Sequence, residues 1–596
     1  MTEELNVGRS DPAYMAHAYL TKVPVPAIIP FIEAYTDPGD VVLDPFAGSG
    51  MTGVAAAMIG RSARLSDISV LGQHIGKNYV NFVDAQILEK YANEVILKSQ
   101  HELNDVYSVK CKICSQSAKL AKTVWSIVVE CGACKQPAIY YESMKAANWV
   151  KANMTCPNCS TKITSRNERI GEVPVIDCVS CTCQRSQVEQ FPQESHTDLD
   201  IESFPYPRVE IKPEREMYKA SALGKSGMTT IASFYSHRNL AVLTTLREQI
   251  RRISDGEIQS KLLYAFTACL TRASKRYQWH PKRPLNAANA NYYVAPVFYE
   301  WNVYDLFLRK VASAIRSDEW IKDSRFRYCD IDSKPDVTYE IHSAEKIPWP
   351  DQSIDYVFTD PPFGSNLFYA DMALFQEAWL DRFSDVGKEA VVDRSRKGKR
   401  SESRYEDLLT SALSECRRVL KPGGSISMVF GNSSGRMWAL VQRAVNNAGL
   451  SIAPEELTIL NKGQRSVKGL ASGFEHVATL DLIITMRPGG IPQEALSHIT
   501  KEETIRTISR LANDNPGATP SHLYLEMLRT AIRNRWKLDE IDLRTITDTL
   551  ANEGYAIDPK SGRLSRLDDP LASDAPHATR PSNPAKKNSY TEPLFG

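Results

Sequence analysis

No sign of charge prevails in this chain. Lys and Arg together number 72 and Asp and Glu 71, for a formal net charge of +1. No global field therefore draws it to a polyanion, and any nucleic-acid contact has to come from local patches. No apolar run reaches membrane-spanning length, which argues against a membrane partner. The opening stretch, MTEELNVGRSD, lacks the pattern of a signal peptide, so a cytoplasmic location is expected. In a reducing compartment the 12 cysteines point to metal rather than to disulfides. At 596 residues the chain is too long for one core and should hold roughly four domain-sized units.

What is present is organised around two short stretches. The first follows a buried strand at Val41–Leu43 and reads Asp44-Pro45-Phe46-Ala47-Gly48-Ser49-Gly50-Met51-Thr52-Gly53. A helix and a second strand, Ala63 to Ser66, follow, and that strand ends at Asp67. Glycines at 48 and 50 let a ligand lie against the loop amides, Asp67 is placed to accept from ribose hydroxyls, and Asp44 can face an ammonium group. The spacing of Gly48, Gly50 and Gly53 also fits a dinucleotide fingerprint, so a nicotinamide enzyme competes at this point. The second stretch is Thr359-Asp360-Pro361-Pro362-Phe363-Gly364, at the end of an apolar strand from Ile354. Two prolines forbid further ladder pairing and stiffen the turn. Asp360, the Pro361 carbonyl, Pro362 and the Phe363 ring then offer two acceptors and a stacking face, which is what a flipped nucleobase requires.

These two motifs, in this order, resemble those of the amino-methylating S-adenosylmethionine-dependent DNA methyltransferases, whose patterns are DPFxGSG and (D/N/S)PP(Y/F/W). The chain is also similar to a group of adenine-specific DNA methylases that contain a zinc ribbon. The resemblance covers roughly residues 12 to 490. It implies that Phe46, Gly48 and Gly50 cradle the methionine part of S-adenosylmethionine, that Asp67 holds the ribose, and that Lys22 belongs to an extra motif over His17–Pro24. Ser343, after the expected third strand, becomes a candidate neighbour of the cofactor's adenine. The Asp form of the second motif implies the 6-amino group of adenine as target.

A methyltransferase sheet needs its third strand soon after the second, yet none is legible before Val337–Ile341. The intervening insertion carries Cys111-x-x-Cys114, Cys131-x-x-Cys134, Cys156-x-x-Cys159 and Cys178-x-x-Cys181. Each CxxC is a knuckle, two knuckles close a tetrahedral site of four thiolates, and a closed site is structural. Two zinc ions are expected, with the knuckles paired most simply in chain order; cross-pairing and Cys183 as an alternative ligand stay open. Helical spacing covers 238 to 273, and Arg272–Arg283 then interleaves cations with aromatics. Lys275 and Arg276 there are expected to meet DNA phosphates, as are Arg394, Arg396, Lys397, Lys399 and Arg400 in a second basic run.

The expected fold is α/β: a Rossmann-like class I methyltransferase sheet, split by a large zinc-ribbon plus helical insertion, with a small helical C-terminal domain. Its divisions are 1–104 and 336–490 for the two halves of the catalytic domain and 105–190 for two four-cysteine ribbons. Residues 191–335 form a helical insertion suited to target recognition, 491–567 a helical module of winged-helix type, and 568–596 a disordered tail. The expected activity is methyl transfer to adenine in double-stranded DNA after base flipping, in restriction-modification or phage defence, with a nuclease or defence protein as a further partner. An RNA base amino-methyltransferase and a non-catalytic zinc-ribbon nucleic-acid-binding protein are the competing readings.

Overall fold

The computed structural model of the chain describes residues 3–104, 106–192, 199–281, 292–328, 334–364, 367–393, 400–463, 478–489, 496–558 and 561–566. Eight strands form its main sheet: β1 (Glu4–Asn6), β2 (Val41–Asp44), β3 (Ser62–Asp67), β4 (Val337–Ile341), β5 (Ile354–Thr359), β6 (Leu420–Phe430), β7 (Leu450–Asn461) and β8 (Asp481–Pro488). Their spatial order is β1-β7-β8-β6-β5-β2-β3-β4. The pairs β4–β3, β3–β2, β2–β5, β5–β6 and β1–β7 are parallel. Helices cover both faces of a parallel sheet, which is why β2 and β5 are buried almost without interruption instead of alternating.

The chain leaves β2 in one direction, through β3 to β4, and then returns to β5 on the other side of β2. In such a sheet the crevice for ligands opens beyond the carboxyl ends of the two strands where the order reverses. Those ends carry Asp44 and Thr359-Asp360.

The sequence Lys421-Pro422-Gly423-Gly424, although made of turn formers, is a bulge inside β6. Ile354 of β5 stands opposite Leu420, and Tyr356 opposite Ser425. Gly423 has φ +85°, and a Cβ on Gly424 would lie 2.8 Å from the Asp355 carbonyl oxygen. The bulge lets the helix over Glu402–Val419 run directly into the strand.

The insertion is built on two long antiparallel strands, Ser117–Glu130 and Arg169–Ser180, in a six-stranded sheet that also takes up Val297–Trp301. Helices His237–Arg251, Gly256–Ala273 and Val303–Arg325 complete it. Its core is continuous with that around the main sheet: Phe375 and Trp379, on helix Tyr369–Leu380, pack against Phe234, Tyr235 and Phe266. One compact unit accordingly takes in Met1–Phe430, Arg443–Gly463 and Ile483–Ile491, so the expected borders near 105 and 335 mark the path of the chain and not a separable domain. In the other unit, helices Lys501–Asp514, Pro520–Arg533 and Leu543–Asn552 precede an antiparallel pair, Tyr555–Ile557 with Leu564–Arg566. That is the element order of a winged helix. The tail from 567 lies outside the described residues.

Candidate active site and metal centres

The loop after β2 turns on two glycines in the left-handed region, Gly48 at φ +49° and Gly50 at φ +82°. The close approach they permit is to the protein itself. A Cβ on Gly50 would meet Gly76 Cα at 2.8 Å, and one on Gly48 would meet the Tyr19 ring at 3.1 Å. Asp67 Oδ2 accepts from the Gly48 amide at 2.8 Å and its Oδ1 from the Ser69 amide at 2.9 Å. Tyr339 donates its hydroxyl to Gly48 O at 2.6 Å. The loop is thus held from three sides before any ligand arrives. A carboxylate has about four lone-pair positions, so Asp67 keeps acceptor capacity for a hydroxyl pair.

Asp44 joins the two strand ends. Its Oδ2 accepts from Thr52 at 2.6 Å, and its Oδ1 accepts from the Phe46 amide at 3.1 Å and from the Thr359 hydroxyl at 2.9 Å. Burial raises its carboxyl to about 7. The expectation that it faces a ligand ammonium is therefore modified: three of its acceptor positions are taken, one by Thr359 at the end of β5 and two by its own loop and the helix that follows.

Beyond β5 the Asp360 turn is braced by Tyr405, whose hydroxyl donates to Pro362 O at 2.5 Å. Phe363 packs edge-on against Phe430, with ring centroids 5.1 Å apart. A cleft with about 930 Å³ of empty space, open to solvent, runs between the two loops. Lys22, Asp44, Phe46, Gly48, Asp67, Ser343, Asp360 and Pro362 all line it. Gly50, Pro361 and Phe363 do not. Gly50 sits behind the loop and serves its packing, and Phe363 is turned toward Phe430. Lys22 lines the cleft with its donors already engaged: Nζ reaches Tyr14 O and His17 O, both at 2.6 Å, and Tyr79 Oη at 3.3 Å. An ammonium has three donors, so Lys22 anchors its loop more than it offers charge to a ligand. Burial lowers it to about 7. Ser343 is joined to Glu345, which Arg404 grips through both oxygens at 2.7 and 2.8 Å.

Sequence reasoning missed Tyr19, Thr21, Tyr369 and Glu389, which also line the cleft. Thr21 and Tyr369 share a hydroxyl–hydroxyl bond of 3.0 Å. Only Tyr19 and Thr21 had a local signal, their place in the His17–Pro24 stretch.

The basic residues fall differently from expectation. Arg276 is 2% exposed, with its guanidinium over the rings of Tyr292 and Phe375, and burial lowers it to about 10. It cannot reach a phosphate on the surface. Lys275 is spent on Glu172, 2.7 Å away. Arg400 pairs with Glu389, which lines the cleft, and with Asp393. Arg394, Arg396, Lys397 and Lys399 lie outside the described residues.

The cysteines form two groups of four, each with its sulfurs within 4.8 Å of one another: Cys111, Cys114, Cys181 and Cys183, and Cys131, Cys134, Cys156 and Cys159. The pairing is crossed, not in chain order. Strands Ser117–Glu130 and Arg169–Ser180 are antiparallel, with Lys119 opposite Ser180 and Val129 opposite Arg169. The start of the first strand therefore meets the end of the second, which brings the 111/114 knuckle to 181/183 and leaves 131/134 for 156/159. Cys178 is corrected by the same register. It lies within the strand, opposite Lys122, where burial raises its thiol to about 11, and Cys183 takes its place in the group. Closest sulfur pairs are 3.5–3.7 Å apart. Four thiolates about 2.3 Å from a central ion sit about 3.8 Å apart, so the donor sets fit tetrahedral zinc, and the separations are far beyond the roughly 2.05 Å of a disulfide. Knuckle amides of Cys114 and Ile113 lower the Cys111 thiol to about 7, as a metal-binding thiolate wants.

Residues 6–87 and 354–522 match the family model described as DNA methylase. The match stops and resumes around the insertion and includes both loops of the cleft. Over 54 residues the chain is 50% identical to a protein of Escherichia coli (strain K12) described as "Putative methylase YubD". That stretch spans 9% of this chain and 23% of the relative. Among the described residues no helix is long and apolar enough to cross a membrane.

Proposed function

We propose that the protein transfers a methyl group from S-adenosylmethionine to the 6-amino group of adenine in double-stranded DNA, after flipping the base out of the duplex. One observation carries the reading. The Asp360 turn and the glycine loop, far apart in the chain, end adjacent strands at the point where the strand order reverses, and they line one cleft.

The cleft suits the cofactor. Asp67 keeps acceptor capacity, and Phe46 and Ser343 supply an aromatic face and a hydroxyl. Bound S-adenosylmethionine would supply an electrophilic methyl group. The protein's own part is placement. Asp360, in the cleft lining, accepts one amino hydrogen, and the Pro361 carbonyl of the same turn, which is not part of that lining before the base arrives, accepts the other; this turns the nitrogen lone pair out of conjugation and toward the methyl. Asp360 is then placed to take the proton that the methylated nitrogen sheds. Phe363, ending the turn, offers a ring at its rim. The two zinc ions would be structural, since each set of four thiolates leaves no open position. Site-specific action within restriction-modification or phage defence is part of the same proposal.

Labelled methyl transfer from S-adenosylmethionine should appear in duplex DNA and not in RNA. Methylation-aware sequencing of host DNA with and without the protein should reveal one modified adenine motif. Transfer to RNA alone, or modified cytosine, would replace this reading.

A further inference from the structure

Helix Tyr369–Leu380 starts at the cleft, yet its N-cap residue, Phe368, makes no side-chain cap. The cap comes from 19 residues downstream: Glu389 Oε1 accepts from the Ala370 amide at 3.0 Å. Its Oε2 accepts from Arg400 Nη1 at 2.5 Å, and Arg400 Nε donates to Asp393 Oδ1 at 2.6 Å. A carboxylate on first-turn amides satisfies orphan donors and answers the helix's positive end. Glu389 is 5% exposed, so this ion pair works in a dry setting.

What the cap positions is Tyr369. At the other end of that ring, the hydroxyl meets Thr21 at 3.0 Å. The side chain is thus fixed at its backbone and at its tip. It lines the cleft together with Asp360 and Pro362. It also lines a second cavity, with about 370 Å³ of empty space, shared with Thr271, Arg276 and Gln376. Phe363, the aromatic of the turn, lines neither. A base brought to Asp360 needs a flat face whose position is set in advance, because methyl transfer gains most from reactants held in line.

From this geometry we propose, resting on the methyl-transfer reading above, that Tyr369 is a substrate-contacting residue, the ring that the flipped purine meets inside the cleft, and that Glu389 is its positioning residue. Phe363, packed on Phe430, lies outside the cleft lining, and Tyr369 lies within it. The polar groups behind Tyr369 come from the insertion and from its own helix, so the ring stands where the inserted region meets the catalytic half.

The test uses duplex DNA carrying the adenine motif identified by sequencing, and a second duplex with 2-aminopurine, a base whose fluorescence rises when it unstacks, at the target position. Tyr369→Leu should lower kcat/KM for DNA about tenfold to a hundredfold, the range of one lost base–ring stack, and should change the bound 2-aminopurine signal. Tyr369→Phe should recover most of that loss. Glu389→Gln keeps an acceptor for the Ala370 amide and loses the ion pair, so it should shift the same two readouts by less. The double variant Tyr369→Leu, Glu389→Gln should be no worse toward DNA than Tyr369→Leu alone, because Glu389 acts through the ring. Wild-type values for Tyr369→Leu would overturn the contact. Additive losses in the double variant would overturn the positioning role and make Glu389 a scaffold residue. A wild-type protein that methylates no DNA would sink the methyl-transfer reading itself, and this inference with it.

Discussion

The cleft and the cysteine-bearing insertion are both assembled from pairs of short motifs, and they close by different rules. In the cleft the partners come from parallel strands. β2 and β5 become neighbours only because the chain crosses over the sheet, and Thr359 then ties the two ends together through Asp44. In the insertion the partners come from one long antiparallel pair, whose register alone decides which knuckle meets which. Parallel neighbours require a crossover of some length, and a crossover tolerates a large inserted region. An antiparallel pair tolerates no such freedom, since a slip of one residue would separate Cys111 and Cys114 from Cys181 and Cys183. The cleft is thus carried by the permissive part of the topology, and the cysteine clusters by the strict part.

The sharpest way to separate the two regions is Asp360→Ala. Methyl transfer should fall by roughly 10²- to 10³-fold, the cost of losing one preorganised electrostatic contact, while two zinc ions remain bound and cofactor affinity holds. Elemental analysis and a cofactor titration on the inactive protein check this. Full turnover would remove Asp360 from the mechanism.

The converse experiment breaks the insertion and spares the cleft's chemistry. Cys181→Ser should leave one zinc per chain and lower the unfolding temperature, because metal binding and folding are one equilibrium in such sites. Cys178→Ser should keep both ions, as the thiol lies in a strand and not in a cluster. Metal content that falls with Cys178 and survives loss of Cys183 would restore pairing by CxxC.

Glycine loop variants carry a smaller effect. Gly50→Val should cost about 1–3 kcal/mol of stability through its positive φ and its contact with Gly76. Chemical denaturation reads this without any cofactor. A loss of cofactor affinity at unchanged stability would mean that the loop approaches the ligand here after all.

The smallest expected effect is a slope. Burial raises the Asp44 carboxyl to about 7 in the folded state. The unfolded chain releases that proton near 4, so the folded state holds more protons between those values. The stability the protonated group contributes is whole below about 4 and is lost as pH rises through 7. Asp44→Asn should flatten the fall in unfolding midpoint between pH 4 and 7. An unchanged slope would place the titration on another group, Glu389 first, which burial also raises to about 7.

Much of this molecule is legible without a structure, and for a physical reason. A motif whose chemistry lies in adjacent residues is written locally. The glycine loop, the Asp-Pro-Pro-Phe turn and the knuckles are all of that kind. Several strands of the main sheet were legible too, at 41–43, 63–66, 337–341 and 354–358, because buried parallel strands read as short apolar runs. Tyr369, Glu389 and Tyr405 escaped because each acts across the chain, on Thr21, Ala370 and Pro362, and nothing beside it in sequence marks it.

By itself, then, the sequence determined which chemistries are available: acceptors for an amino group, a loop for a nucleoside ligand, and thiolates in pairs. Tertiary structure decided their assignments. It placed Arg276 in the interior, turned Arg400 into a partner of a buried carboxylate, and exchanged Cys178 for Cys183. In each case the deciding quantity was the register or packing of elements far apart in the chain. Residue type sets what a side chain is able to do, and only its neighbours in space set what is left for it to do.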